Sequence, residues 1–344
     1  MSKAETGRLC VGVDLHKTQF TICALNEDGE YLLEKQYPTK EEGYSEFARE
    51  MHRFEEQGCS IELAVETTGN ARFFKNRMES EFFAVKVVNT NRFKVITMST
   101  KKTDANDAAT LAFYLMKDML PEAHLCSQTS EEIRRLLKTR SVLVQSMVKI
   151  KNQIHGMMLG YGIETKAAQL QSKRKRQELI NDLEDHNFSA YTAPSLKVML
   201  KILDDLSAEI KGIEKLLEEM VASNEDVALL MTVPGIGINT ATVIAAYTAE
   251  LERFEGNYKK FASYVGIIPS VHNSNETTHY GRITKHGPQE LRTAFVQAAL
   301  GMIRLTNVSS EWRIIKEYQR RKGDKGSGRA IIALARKITR IVFV

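Results

Sequence analysis

The chain has little cysteine and no arrangement of it that does chemistry. Four of 344 residues are cysteine, Cys10, Cys23, Cys59 and Cys126, scattered without a CxxC pair or a zinc-like spacing to histidine. That excludes a disulfide framework and a structural zinc site and fits a reducing compartment. No apolar run approaches the roughly 18 residues of a membrane span, and the opening MSKAETGR lacks the apolar stretch of a signal peptide. A cytoplasmic protein is expected, neither exported nor inserted in a membrane. A strong charge of one sign is also missing, since the formal net charge of +5 is too mild to name a partner.

What is present is a core. With 43% apolar residues the chain can fill two or three ordinary domains. From Leu9 to Tyr37 it alternates in three short runs, LCVGVDL, FTICALN and YLLEKQY, separated by turn signals. These predict a meander of strands. A helix over residues 40–56, a strand over 61–66, a helix over 71–82, a strand over 84–89 and a helix over 104–116 follow. The order βββαβαβα predicts a mixed sheet with crossover helices, the order of an RNase H-like α/β domain.

Helical patterning dominates the middle. Leu196, Met199, Leu203, Leu206, Ile210, Ile213, Leu217 and Met220 alternate spacings of three and four, and Ile133 to Met157 nearly do so with Arg140 interrupting. Such coiled-coil seams pair either within one chain or between subunits. The basic stretch QSKRKRQ (171–177) lies between them and suits either nucleic acid or a solvated loop. Beyond residue 224, an apolar helix, the turn Pro-Gly-Ile-Gly (234–237) and a second apolar helix spell a helix-hairpin-helix element. There the backbone N–H groups about Gly235 and Gly237 can take a phosphate without reading sequence; a plain helical turn is the alternative. Ten Lys or Arg between Arg313 and Arg340 face only Glu317 and Asp324, a density suited to phosphate or to an ordinary solvated helix face.

Four acids stand where chemistry is done. Asp14 ends the first strand in VGVDLHK, near the centre of the sheet, where a lone carboxylate needs a cation. Glu66 ends the strand of AVETTG, at the carboxyl edge where open α/β sheets place their sites. Asp104 and Asp107 in KTDANDA are three apart at a helix start and share a face. Singly each has a plainer role, Asp104 as helix cap with Asp107 at the third helical position, and Asp14 and Glu66 as partners of lysines such as Lys17. Together they match the requirements of two Mg2+ ions roughly 4 Å apart that clamp a phosphodiester. A second constellation sits in residues 261–300, where Ser274 lies in a polar loop close to Arg282, Lys285 and His286. Cations beside a serine hydroxyl favour attack on phosphorus, although serine-rich loops are more often only loops.

The segments VGVDLHK, AVETTG, KTDANDA, PGIG, RFEGNYKKFASYVGIIP (253–269) and GRITKHGPQELR (281–292) occur in an order that resembles the DEDD-type insertion-sequence transposases of the IS-one-hundred-ten group. The resemblance covers nearly the whole chain. It implies a RuvC-like catalytic domain over 1–125 with Asp14, Glu66, Asp104 and Asp107 holding divalent metal. A coiled-coil region over 126–223 and a mostly helical transposase domain over 224–344 would follow. It implies Mg2+, with Mn2+ able to substitute, and a serine five residues past Pro269, namely Ser274, that becomes covalently linked to DNA. Family members often carry Ser-Gly there, and this chain has Ser274-Asn275. It further implies DNA partners, both element ends and target, a non-coding bridge RNA, a homo-oligomer (dimer or tetramer), and a place on a prokaryotic nucleoid. Two other functions compete: a RuvC-like endonuclease that uses water and forms no covalent link, and a non-catalytic architectural protein for which the acids are dispensable.

Overall fold

The computed structural model describes residues 7–90, 92–93, 103–182, 188–274, 277–305 and 310–344. They divide into two compact units, Met1–Leu125 and Cys126–Val344. Residues 126–223 and 224–344 therefore lie in one unit.

The first unit is a mixed five-stranded sheet with helices on both faces. Its elements run β1 (Arg8–Leu15), β2 (Gln19–Leu25), β3 (Tyr31–Pro38), α1 (Glu41–Glu56), β4 (Ser60–Glu66), α2 (Ala71–Glu79), β5 (Ala84–Val88) and α3 (Asp104–Met116), in the order expected. The strands lie β3-β2-β1-β4-β5. β1 pairs antiparallel with β2 and parallel with β4, and β5 extends the parallel half. Strand period two sorts β1 between two cores. Leu9, Val11, Val13 and Leu15 pack with Phe20, Tyr37, Tyr44, Phe47 and Phe74 under α1 and α2. The opposite face of the sheet carries small side chains, Cys10, Gly12, Cys23 and Ala64, and there α3 lies down. The approach is close enough that a Cβ on Gly12 would stand 2.0 Å from the Ala108 carbonyl oxygen and 2.5 Å from the Ala112 nitrogen. Glycine at position 12 therefore brings α3 onto the central strand.

The second unit is helical apart from one hairpin. α4 (Gln128–Leu159), α5 (Lys173–Asp182), α6 (Thr192–Val221), α7 (Glu225–Met231), α8 (Ile238–Thr248) and α9 (Tyr258–Val265) precede β6 (Pro269–Ser274) and β7 (Thr277–Ile283). α10 (Gln289–Arg304), α11 (Arg313–Lys325) and α12 (Ser327–Phe343) complete it. α4 packs along α6, so the long seams meet within one chain. Leu196, Leu203, Ile210 and Leu217 of the expected seam are buried, and Leu200 and Val221 join them. A straight helix turns every 3.6 residues and drifts off a strict heptad, which brings these two inward. Arg140, the interruption in the α4 pattern, reaches across to Glu214 of α6 at 2.7 Å. In the basic stretch, Arg176 is 2% exposed and its Nε donates to Asp204 at 2.8 Å, while Lys173, Arg174 and Lys175 face solvent. That arginine is a structural part of the helix packing.

Candidate functional site

Strand register sets the first two acids. Val13 of β1 is paired with Val65 of β4, so the next residues, Asp14 and Glu66, stand side by side on the same face at the carboxyl ends of adjacent parallel strands. That face is the one α3 covers. Its N-terminus is capped by Thr103, whose hydroxyl accepts from the Asn106 N–H at 3.2 Å. Asp104 is thus the first helical residue and not the cap, and Asp107 follows one turn on. Acids in a first helical turn sit favourably against the helix dipole, and here the docking over Gly12 delivers them to the strand ends.

Asp14 is the most enclosed acid of the cluster. Asp14 is 13% exposed at its side chain. Its carboxyl is held above the ordinary range, chiefly by burial, with His16 opposing and Asp104 and Asp107 adding to the rise. The plainer alternative from sequence was a lysine such as Lys17. Instead His16 Nε2 lies 3.0 Å from Asp14 Oδ2 and 3.5 Å from Asp104 Oδ1, and among the described residues no lysine or arginine pairs with either acid. Donor atoms of Asp14, His16 and Asp104 all lie within 4.8 Å of one another. An oxygen-rich set in which burial and like charge both oppose ionisation is suited to a divalent cation. Asp14 and Asp104 are brought together as expected, Glu66 is adjacent to Asp14 by register, and Asp107 is within electrostatic reach. His16 was missed, although its place two residues beyond Asp14 at a strand end was a readable signal of a shared face.

The second constellation belongs to the other unit. Ser274 closes β6, where its backbone pairs with Thr277 of β7; residues 275–276 lie outside the described residues. Arg282 is exposed on β7, and Lys285 and His286 are exposed in the following turn. That turn interlocks with the end of α9. Lys285 has a φ of 55° and its N–H donates to the Gly266 carbonyl at 3.1 Å. A Cβ on Gly287 would stand 1.8 Å from the Tyr264 oxygen, so glycine is required there. The two glycines of the PGIG turn do different things. Gly235 (φ 89°) packs against α10, where a Cβ would meet the Met302 nitrogen at 2.4 Å, whereas Gly237 begins α8 in open space. Further along, Arg336 and Arg340 of α12 line a groove of about 660 Å³ with Lys259, and none of the three has an acid partner among the described residues.

Both units match known proteins. Residues 11–163, which contain all four acids, match a family described as "Transposase", the DEDD type of IS110. Residues 227–319, which contain the PGIG turn, Ser274 and the GRITKHG turn, match the "Transposase IS116/IS110/IS902 family". A chain with these two halves in this order is a DNA transposase. It belongs to the IS110 family. Relatives align along almost all of it. The transposase for insertion sequence element IS1111A of Coxiella burnetii (strain RSA 493 / Nine Mile phase I) is 24% identical over 97% of this chain and 88% of the relative. The transposase for insertion sequence element IS1328 of Yersinia enterocolitica is 25% identical over 97% and 95%. A probable family 20 transposase of Pseudomonas aeruginosa is 22% identical over the same shares.

Proposed function

We propose that the protein cuts and rejoins DNA at the ends of an insertion sequence and at its target, using Asp14, Glu66, Asp104 and Asp107 to hold two Mg2+ ions and Ser274 as the nucleophile. The convergence of Asp14 and Asp104 at the carboxyl edge of the sheet, in a chain of this family, carries the reading. The strand order β3-β2-β1-β4-β5 supports an RNase H-like assignment for the first unit. When bound, the ions supply charge stabilisation to a phosphodiester under attack. The acids hold them, and α3 keeps two of the four acids over the strand ends. At the second centre the Ser274 oxygen forms a bond to a backbone phosphorus while a DNA hydroxyl leaves. A DNA hydroxyl later attacks the same phosphorus and releases the serine, so joining needs no outside energy source.

Arg282, Lys285 and His286 flank Ser274 in sequence and supply the positive charge that a phosphate in transit requires. Gly237 offers free backbone N–H groups at a helix start, and Arg336, Arg340 and Lys259 add backbone-phosphate contacts. A bridge RNA pairs with element and target, the active assembly is a homo-oligomer, and the protein works at the nucleoid in the cytoplasm. The test is a denaturing gel for a protein–DNA adduct with element-end DNA, Mg2+ and co-expressed RNA. An adduct is expected from the wild type and lost in Ser274→Ala and in Asp14→Ala, with DNA binding retained. Clean cleavage without an adduct would instead establish a hydrolytic, RuvC-like endonuclease.

A further inference from the structure

We propose that the His16 imidazole is an inner-sphere nitrogen ligand of the divalent ion held by Asp14 and Asp104, and that it strengthens binding of first-row transition ions at this centre while leaving Mg2+ binding to the acids. The inference rests on the metal-site reading given above and specifies the chemistry of that site.

Geometry is the first support. His16 Nε2 is 3.0 Å from Asp14 Oδ2 and 3.5 Å from Asp104 Oδ1, and the three donors lie within 4.8 Å of one another. Donors sharing one ion at about 2.1 Å in an octahedron stand roughly 3.0 Å apart when adjacent and about 4.2 Å when opposite. Both nitrogen–oxygen spacings of His16 fall in that range, and the bound of 4.8 Å on the whole set lets the two carboxylates close on one ion by side-chain rotation. The second support is how the residue is held. The His16 N–H donates to the Gln19 carbonyl at 2.9 Å. Its carbonyl accepts from the Thr39 hydroxyl at 3.1 Å and from the Asn70 side-chain amide at 3.2 Å. Three separate segments therefore fix the backbone that carries the ring, which is the preorganisation a ligand needs.

The third support is exposure. With half of its side chain open to solvent, 51%, the ring is not a packing histidine of the core. A simpler role, a charge partner for two carboxylates, would have the ion displace the ring rather than bind it. The two roles differ in one observable. Imidazole nitrogen suits transition ions and is poorly matched to Mg2+, which prefers oxygen, so only a ligand changes selectivity and leaves a nitrogen signature on the metal.

The experiment uses the full-length protein with Mn2+ as the probe. Binding is titrated by electron paramagnetic resonance with Mg2+ as competitor, and pulsed resonance reads nitrogen coupling to the bound Mn2+. The wild type should show imidazole nitrogen coupling. His16→Gln should lose it and bind Mn2+ about tenfold more weakly, with Mg2+ affinity changed less than about threefold. His16→Ala should behave alike, and unchanged circular dichroism and melting in both variants assign the loss to the ring. Mn2+ binding that depends on Asp14 but shows no nitrogen coupling, or coupling retained in both His16 variants, overturns the inference and leaves the acid site standing. Absence of any Asp14-dependent Mn2+ binding in the wild type overturns the metal-site reading and the inference with it.

Discussion

At the residue scale, single atoms decide whether the site exists. Gly12 has no side chain because the α3 backbone occupies the space, with Ala108 O 2.0 Å from where a Cβ would be. Gly12→Ala should therefore force α3 off the sheet, lowering stability by about 1–3 kcal/mol in urea titration, and should weaken metal binding more than an equal destabilisation placed under α1. A different group governs acid stability. Arg8 donates to Glu62 at 2.7 and 2.9 Å, and that bond above all, with Lys86 assisting against burial, holds the Glu62 carboxyl below its ordinary range. A depressed carboxyl stabilises the fold above its unfolded-state pKa, and this stability is lost as pH falls through the lower folded-state value. Glu62→Gln should consequently flatten the fall of the unfolding midpoint below about pH 4.5, and an unchanged acid limb would count against the pair. The positions of the four acids at strand and helix ends were legible because local pattern marks those ends. For the partner of Asp14 the sequence held only a partial signal, the i to i+2 spacing to His16; that the ring turns back to the acid depends on how the residue after the strand faces, which no local pattern contains.

At the element scale, pattern gave the helices but not their partners. The 3–4 spacing of α6 was legible, yet the choice between pairing within the chain and between chains needed the contact with α4, which no periodicity contains. Arg176 was equally hidden. It stands among exposed cations in QSKRKRQ, and only the fold shows that it is 2% exposed, tied to Asp204 and to the Leu170 carbonyl at 3.0 Å. Removing the acid strands the charge, so Asp204→Ala should cost about 3–5 kcal/mol. Arg176→Met, which keeps volume and removes the charge, should cost clearly less. Thermal melts of the two variants decide it, and equal losses would mean that the ion pair is not what holds α5 on α6. For α12, Arg336→Glu with Arg340→Glu should weaken DNA binding and lower the slope of log affinity against log salt by about 2, read by fluorescence anisotropy.

At the scale of the whole molecule, the chain is two bodies with separate cores, Met1–Leu125 around the sheet and Cys126–Val344 around the helices. Each has its own buried aromatic and aliphatic set, so a fragment of residues 1–125 should fold by itself and give a cooperative melt with native far-UV dichroism. A fragment without tertiary signal would show that the sheet domain depends on the rest. The acids lie in one body and Ser274 in the other, a division that the order of motifs along the sequence already displayed.

The origin of the acid cluster in both strands and a later helix also sets when it is complete during synthesis. Asp14 and Glu66 emerge from the ribosome well before Asp104 and Asp107, and the sheet residues 8–88 are all made before α3 exists. Until that helix closes over Gly12, a nascent chain carries two of the four acids, Asp14 and Glu66, on an uncovered sheet face. A centre of the kind proposed for these acids, assembled only by the last element of its domain, therefore stays incomplete in a nascent chain until the domain is whole.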